Sequence, residues 1–479
     1  MGAHTAATDK VQPEETQEVR RSFGLRMVVA VLGLVATLLT SVLAVRVLDV
    51  RSAAAFLGVL AALMLGPAIG RLGLGQNAIR AVAAATSPAE VATQVVAHLR
   101  AVTILSVLTS PLVAWLATAV VTEQRVLVVA LVSAMIVLET IRLTVSDVYA
   151  ATGHIRWSVA GTHHSRSIIA LLVLAVVVLV QDTTTLVTLL TVYAAVSLGL
   201  LLVVAVRLPV RGQAARTGRW WVPMLAAVIA GAQLFAVELG AFLVGRANVW
   251  LAGWAFTDQD ALLYSTASVL AMQVTVLEGL ANIALTPVAA RLWAEGRRDR
   301  VFALLRASAT VSTLVTLALV AGVWLLAPEV LSIYGDGLDG AAVYLSVLAT
   351  GGLGMSVFGS CAVLLVVTGK GRAAAAAVGV SVLIATPVAV LAALFGGPMQ
   401  LALAGAAGTM LLFASYAVAC HLALGRAPLP TLRIKQSLLV LAGRGPAEDD
   451  APVEVPDAAL AAAESPGVTA AGTIAGGAA

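Results

Sequence analysis

Long apolar runs separated by short polar gaps fill the chain from about residue 25 to residue 424. Each run exceeds the roughly 10 residues of a membrane barrel strand, and none alternates strictly, so each predicts a helix. Crossing about 30 Å of hydrocarbon takes roughly 20 apolar residues. The pattern predicts twelve such helices, at 25–46, 53–83, 95–120, 125–150, 158–180, 184–206, 222–256, 261–289, 301–327, 340–368, 373–396 and 400–424. The expected class is an all-α polytopic membrane protein.

The gaps alternate in charge, and the alternation orients the chain. One set carries Arg80 and Arg100, then Arg156 and Arg166, then Arg207, Arg211, Arg216 and Arg219. It continues with Arg291, Arg297, Arg298 and Arg300, then Lys370 and Arg372, and ends in Arg426, Arg433 and Lys435. The other set holds Asp49 with Arg51, Glu123 with Arg125, Asp182, Asp258 with Asp260, and Glu329, Asp336 and Asp339, and closes on a neutral Gly396-Gly397-Pro398. Cytoplasmic loops retain Lys and Arg, so the first set is read as cytoplasmic, together with both termini. The polar stretch before the first run, edged by Arg20, Arg21 and Arg26, reads as the flank of an uncleaved anchor.

Composition supports the pattern. Sixty per cent hydrophobic residues, 11% charged residues and a mean hydropathy of +0.99 exclude an ordinary soluble domain. The net charge of +4 follows from topology and gives no reason to expect nucleic acid as a partner.

The longest basic connection, 207–221, falls near the middle and divides the chain into 25–206 and 222–424, with six helices each. Six is even, so both halves share one orientation, and any repeat is parallel, its axis along the membrane normal. Ala54-Ala55-Phe56 after the first helix and Leu262-Leu263-Tyr264 after the seventh are a weak trace of one. Residues 1–24 read as a cytoplasmic tail and 425–479 as another. In the latter, Leu432, Ile434, Leu438, Leu439 and Leu441 alternate with Arg433, Lys435 and Arg444 as in a short interfacial helix. Residues 445–479 are too poor in large apolar side chains to bury a core and read as disordered.

Charges inside a bilayer are expensive, so each one within a run calls for an explanation. Glu139 and Arg142 stand three apart on one helical face. They are either an internal ion pair or a cavity-lining pair in which Arg142 binds an anion and Glu139 tunes it or carries a proton. The seventh run holds Glu238, Arg246 and Asn248. Arg246 either snorkels towards the interface or faces a hydrated cavity, where a guanidinium suits a phosphate or carboxylate. Glu278 lies mid-run in the eighth helix, before Asn282 and Pro287, as a group that titrates or pairs with Arg142 or Arg246. The second run contains GPAIGRLGLGQN around Arg71, whose glycines permit close packing or a broken helix. Asp147 and Arg46 both read as interface residues.

Signals of soluble catalysis are absent from the sequence. His163-His164 has no carboxylate at metal spacing, so no metal is expected. Gly351-Gly352 and Gly354 lie in an apolar run and read as packing. Cys361 and Cys420, both within apolar runs, read as buried thiols. There is no Walker A motif, so transport would draw on a gradient or on consumption of the product. No enzyme activity and no cofactor are expected.

The stretch VLGLVATLLTSVLAVRVLDVRSAAAFLGVLAAL, followed by RLGLGQNAIRAVA, resembles the start of the polysaccharide-transporter flippases, which share a superfamily with the multidrug and toxin extruders. VWLAGWAFTDQDALLYSTASVLAMQ, NIALTPVAARLWAEGRRDRVFALLRAS and LLAPEVLSIYGDGLDGAAVYLSVLA extend the resemblance across roughly 25–424. It implies two six-helix bundles facing each other across a central cavity in a bacterial plasma membrane. It implies as substrate an oligosaccharide on a polyprenyl diphosphate, flipped to the outer leaflet, with membrane lipids and glycan polymerase or glycosyltransferases as partners. Arg142, Arg246 and Arg71, with Asn248, would then bind the head group, and Glu139, Glu238 and Glu278 would be the ion-coupling residues. The alternative is a drug or metabolite antiporter driven by H+ or Na+. A scaffold without transport, recruiting partners through its tails, is a third possibility.

Overall fold

The computed structural model describes residues 13–181, 183–206, 208 and 235–441. Most of the linker at 207–221, the first part of the seventh run and the final tail from 442 lie outside the described residues. All secondary structure among the described residues is helical.

The amino-terminal half comprises α1 (Pro13–Val47), α2 (Val50–Arg71), α3 (Leu74–Ala84), α4 (Pro88–Ala117), α5 (Arg125–Ala151), α6 (Ile155–Ala160), α7 (His163–Val180) and α8 (Leu186–Val206). Helix α1 starts at Pro13, so the second half of the tail read at 1–24 is helical. The other half comprises α9 (Phe235–Gly245), α10 (Asn248–Ala255), α11 (Asp258–Gln273), α12 (Val276–Ala294) and α13 (Arg298–Ser332). It continues through α14 (Ala341–Val367), α15 (Gly371–Leu391) with a π turn at Ala392–Gly396, and α16 (Pro398–Leu424). The short helix expected after the last run is α17 (Ile434–Leu441), packed along α13.

Local chemistry sets the ends. The Asp49 side chain accepts from the Ser52 amide and starts α2, and Thr257 does the same for α11 through Asp260. Ser87 caps α4, with Pro88 at its first turn and Glu90 reaching back to the Thr86 amide at 2.9 Å. Gly425 ends α16 with φ 75°.

Ten helices are long and apolar enough to cross a membrane, and eleven if the bent pair α9 and α10 counts as one. The remaining run, read at 261–289, is divided into α11 and α12 at Val274-Thr275. The second run, read as one helix over 53–83, ends at Arg71, where Leu72 (φ 43°) and Gly73 (φ 77°) turn the chain before α3. Both readings of its glycines hold, at different positions. A methyl group at Gly66 would meet Ile136 side-chain carbons at 2.6 Å, and one at Gly70 would meet Ser106 at 2.9 Å, so these two allow close packing on α5 and α4.

Among the described residues, the hydrogen bonds and ion pairs between the halves gather towards one end. That end carries the acidic loops, where Arg51 reaches across to Asp258 at 2.8 Å and to Thr122 within its own half at 2.8 Å. Trp250 donates to the Gly58 carbonyl and Trp254 to the Leu116 carbonyl, both across the halves. Arg46 donates to the carbonyls of Ile333 and Ser332, which end α13, and Ser41 bonds Tyr334. Beneath these bonds, Ala53, Ala54 and Leu57 share one buried cluster with Ala261, Leu262 and Leu331. The segments that carry the internal sequence trace thus pack against each other. Towards the arginine-rich end, the described residues show no hydrogen bond or ion pair between halves beyond Met64.

A thiol-specific cross-linker of short span should join Arg51→Cys to Asp258→Cys with high yield, read as a shift in electrophoretic mobility. Absence of cross-linking would show that the halves do not meet at this end.

Candidate functional site

A cavity of about 430 Å³ lies between the halves, on the arginine-rich side of their contact. Its wall comes from α2 (Met64, Leu65, Ala68), from α9 (Glu238, Phe242), from α11 (Ser268, Met272), and from α14 and α16 (Gly352, Met355, Thr409, Phe413). That volume suits a small-molecule or head-group site, and the surface is mostly apolar with a few polar groups.

Two of its wall residues sit where helices are broken. Arg246 and Ala247 separate α9 from α10, which diverge by 44°. The Phe242 carbonyl accepts from both amides in the break, at 2.8 Å from Arg246 and 3.1 Å from Ala247. Thr275 occupies the break between α11 and α12. Unwound backbone at membrane depth is tolerated only where it is buried in protein or lines a cavity, and both breaks line this one.

Arg246 carries the cavity's cationic charge. Its guanidinium touches the Met64 sulfur across the halves and has no acidic partner among the described residues. Glu238 lines the same cavity two helical turns away, about 12 Å along the helix axis. Arg71 lies at the edge of this region. It pairs with Asp147 at 3.1 Å, with both side chains 24% exposed, and it is within electrostatic reach of Glu238. Asp147 is therefore half of an ion pair as well as a helix-end residue.

The structure separates the other sequence candidates from the cavity. Arg142 and Glu139 are fully buried within the amino-terminal half and bonded to each other. Arg142 also donates to the carbonyls of Gly161 and Thr162, at 2.8 and 2.6 Å, where α6 ends. Of the two readings of this pair, the internal ion pair describes its geometry, and Arg142 is corrected from a cavity anchor to a bundle residue. Its carboxylate has a third member that the loop reading missed. Arg166 belongs to α7, is 6% exposed and lies 3.1 Å from Glu139. The available signal was its place inside the run at 158–180.

Asn248 is 4% exposed and packs beside the Tyr264 hydroxyl against Gly405, a residue of the cavity wall, so it stands one layer behind the cavity surface. Glu278 is fully buried between α12, α13 and α14, behind the cavity wall. Its oxygens make no hydrogen bond, and Ser312 and Asn282 are neighbours that stop short of one. It meets neither Arg142 nor Arg246. Among the described residues, no three His, Cys, Asp or Glu side chains are grouped as metal ligands.

Comparison with known proteins follows the same lines. The MatE family model matches residues 260–391. No curated protein matches the chain in sequence. Among solved structures, the lipid II flippase MurJ in an inward closed conformation is similar with a TM-score of 0.62 and 11% identity, covering 88% of this chain and 90% of that one. An inward-facing multidrug resistance MATE family transporter of the MOP superfamily is similar with a TM-score of 0.60 and 14% identity, covering 83% and 94%. The outward-facing conformation of such a transporter gives 0.54 at 13% identity, covering 84% and 95%. The chain is a multi-pass membrane protein with the all-helical fold of the MATE and MOP-superfamily transporters, and it carries a MatE match over 260–391.

Proposed function

We propose that this chain is a transporter that flips a lipid-linked, anionic oligosaccharide across the membrane by alternating access. One observation carries the reading: a helix break presents Arg246, unpaired by any acid among the described residues, to a cavity between the halves. A guanidinium fork matches a diphosphate, and its attraction is strong where water is scarce. The polyprenyl chain would remain in the bilayer while the head group occupies the cavity.

The positive-inside rule makes the arginine-rich end cytoplasmic, so the cavity loads from the cytoplasm of a bacterial plasma membrane. The units that rock are 25–206 and 222–424, joined by 207–221. Enzymes that build the glycan on one face and polymerise it on the other are the natural partners. Glu278, a buried carboxyl without a hydrogen bond, is the group that would couple transport to protons or sodium. Arg71 would receive the incoming head group before Arg246 does.

The presence of Glu238 in the same cavity favours a second reading, a gradient-driven antiporter of drugs or metabolites. The two readings differ in which charge the substrate needs.

Arg246→Ala should abolish glycan export, with lipid-linked oligosaccharide accumulating on the cytoplasmic face at unchanged protein abundance. Arg142→Ala should instead lower abundance and thermal stability, because it leaves the Gly161 and Thr162 carbonyls without their buried donor and empties the space the side chain fills. Normal export by Arg246→Ala, together with loss of drug efflux in Glu238→Gln, would replace the flippase with the antiporter. Separately, Glu278→Gln should leave substrate binding intact while transport loses its response to an imposed proton or sodium gradient. A retained response removes Glu278 from the coupling role.

A further inference from the structure

The charge balance inside the amino-terminal half is unequal. Two guanidiniums, Arg142 and Arg166, share one carboxylate, Glu139, and all three side chains are at most 7% exposed. Arginine does not give up its proton in proteins, so the cluster keeps a net charge of +1. His163 and His164 are the other titratable groups acting on it, and a proton on either would deepen the excess. An uncompensated charge in a bundle of this kind costs several kcal/mol.

The donors around the cluster are only partly used. Arg142 directs one nitrogen to two carbonyls and another to Glu139. Arg166 is placed differently. Its Nη1 lies 3.1 Å from Glu139 without hydrogen-bond alignment, its Nε has no partner, and its guanidinium carbon is 5.6 Å from the Tyr193 ring centre. The Tyr193 hydroxyl and Thr40 on α1 lie within reach of each other, which leaves one of their two protons unplaced, and Ser197, one turn further along α8, has no partner. All three are at most 1% exposed. Water could satisfy these donors, but it would leave the charge in place. A small anion does both.

We infer that Arg166, with the hydroxyls of Tyr193, Thr40 and Ser197, forms a buried site for a monatomic anion of the halide class. Carboxylates and phosphates call for more donors than these side chains offer. The one unpartnered acceptor of the cluster, Glu139 Oε1, sets the limit on where the anion sits. The site lies within one half, apart from the cavity of Arg246, and does not depend on what that cavity carries. It holds α1, α7 and α8 together as a structural counter-charge.

The test is thermal unfolding of the purified full-length protein in chloride, bromide or gluconate at equal ionic strength. The wild type should unfold at least about 2 °C higher in the two halides, and the gain should saturate with concentration. Arg166→Gln keeps a donor and removes the excess charge, so it should unfold at one temperature in all three salts. A wild type indifferent to the anion would overturn the site, and so would an Arg166→Gln protein that keeps the full halide response. If that variant does not accumulate, the wild-type comparison decides alone.

Discussion

A charge inside hydrocarbon must find its compensation within the protein, because the solvent supplies none. That constraint organises this molecule more than any apolar contact does, since lipid tails are as apolar as the leucines they would replace. The charges in the described helices meet it to different degrees. Glu139 is shared by two guanidiniums, and Arg142 further spends its donors on the carbonyls where α6 ends. Arg71 holds Asp147. Arg246 is compensated by no acid among the described residues and is placed at a cavity. The distinction between a structural and a functional charge therefore lies in whether the fold supplies the partner.

Backbone polarity follows the same rule. Helix α9 is interrupted at Arg246 and α11 at Val274, and the loosened peptide groups border the cavity. The interruptions make room and present polar atoms at a depth where an intact helix would show only side chains. At the opposite end the contacts are of another kind. Tryptophan indoles donate to carbonyls across the halves, and Arg46 covers the end of α13. The Arg51 and Asp258 side chains are 47% and 36% exposed, so solvent screens this pair and it is weak. A contact of that strength is broken and remade far more easily than a buried pair.

Much of the fold was legible in the sequence. Apolar run length gave the helices, because it is a one-dimensional consequence of bilayer thickness. Interruptions were harder to read. The glycines around Arg71 left a break open as one of two readings, but Val274-Thr275 breaks the eighth run with no glycine or proline in the break. The site was legible only in part. Sequence distance could place Glu139 beside Arg142, since they share a helix face, but it could not show that Arg166, 27 residues after Glu139, completes the group. Likewise Asn248 and Arg246 are two residues apart, and the break between α9 and α10 sends one to the core and the other to the cavity. Tertiary packing decides such cases, and no periodicity encodes it.

The central claim is that Arg246, the cation lining the cavity among the described residues, selects an anionic lipid head group. Its most direct test is equilibrium binding of a polyprenyl diphosphate to the purified protein and to its Arg246→Ala form, read by native mass spectrometry. Loss of one charge-assisted bidentate contact should weaken the complex by about tenfold or more. Equal retention of the lipid by both forms would contradict the account.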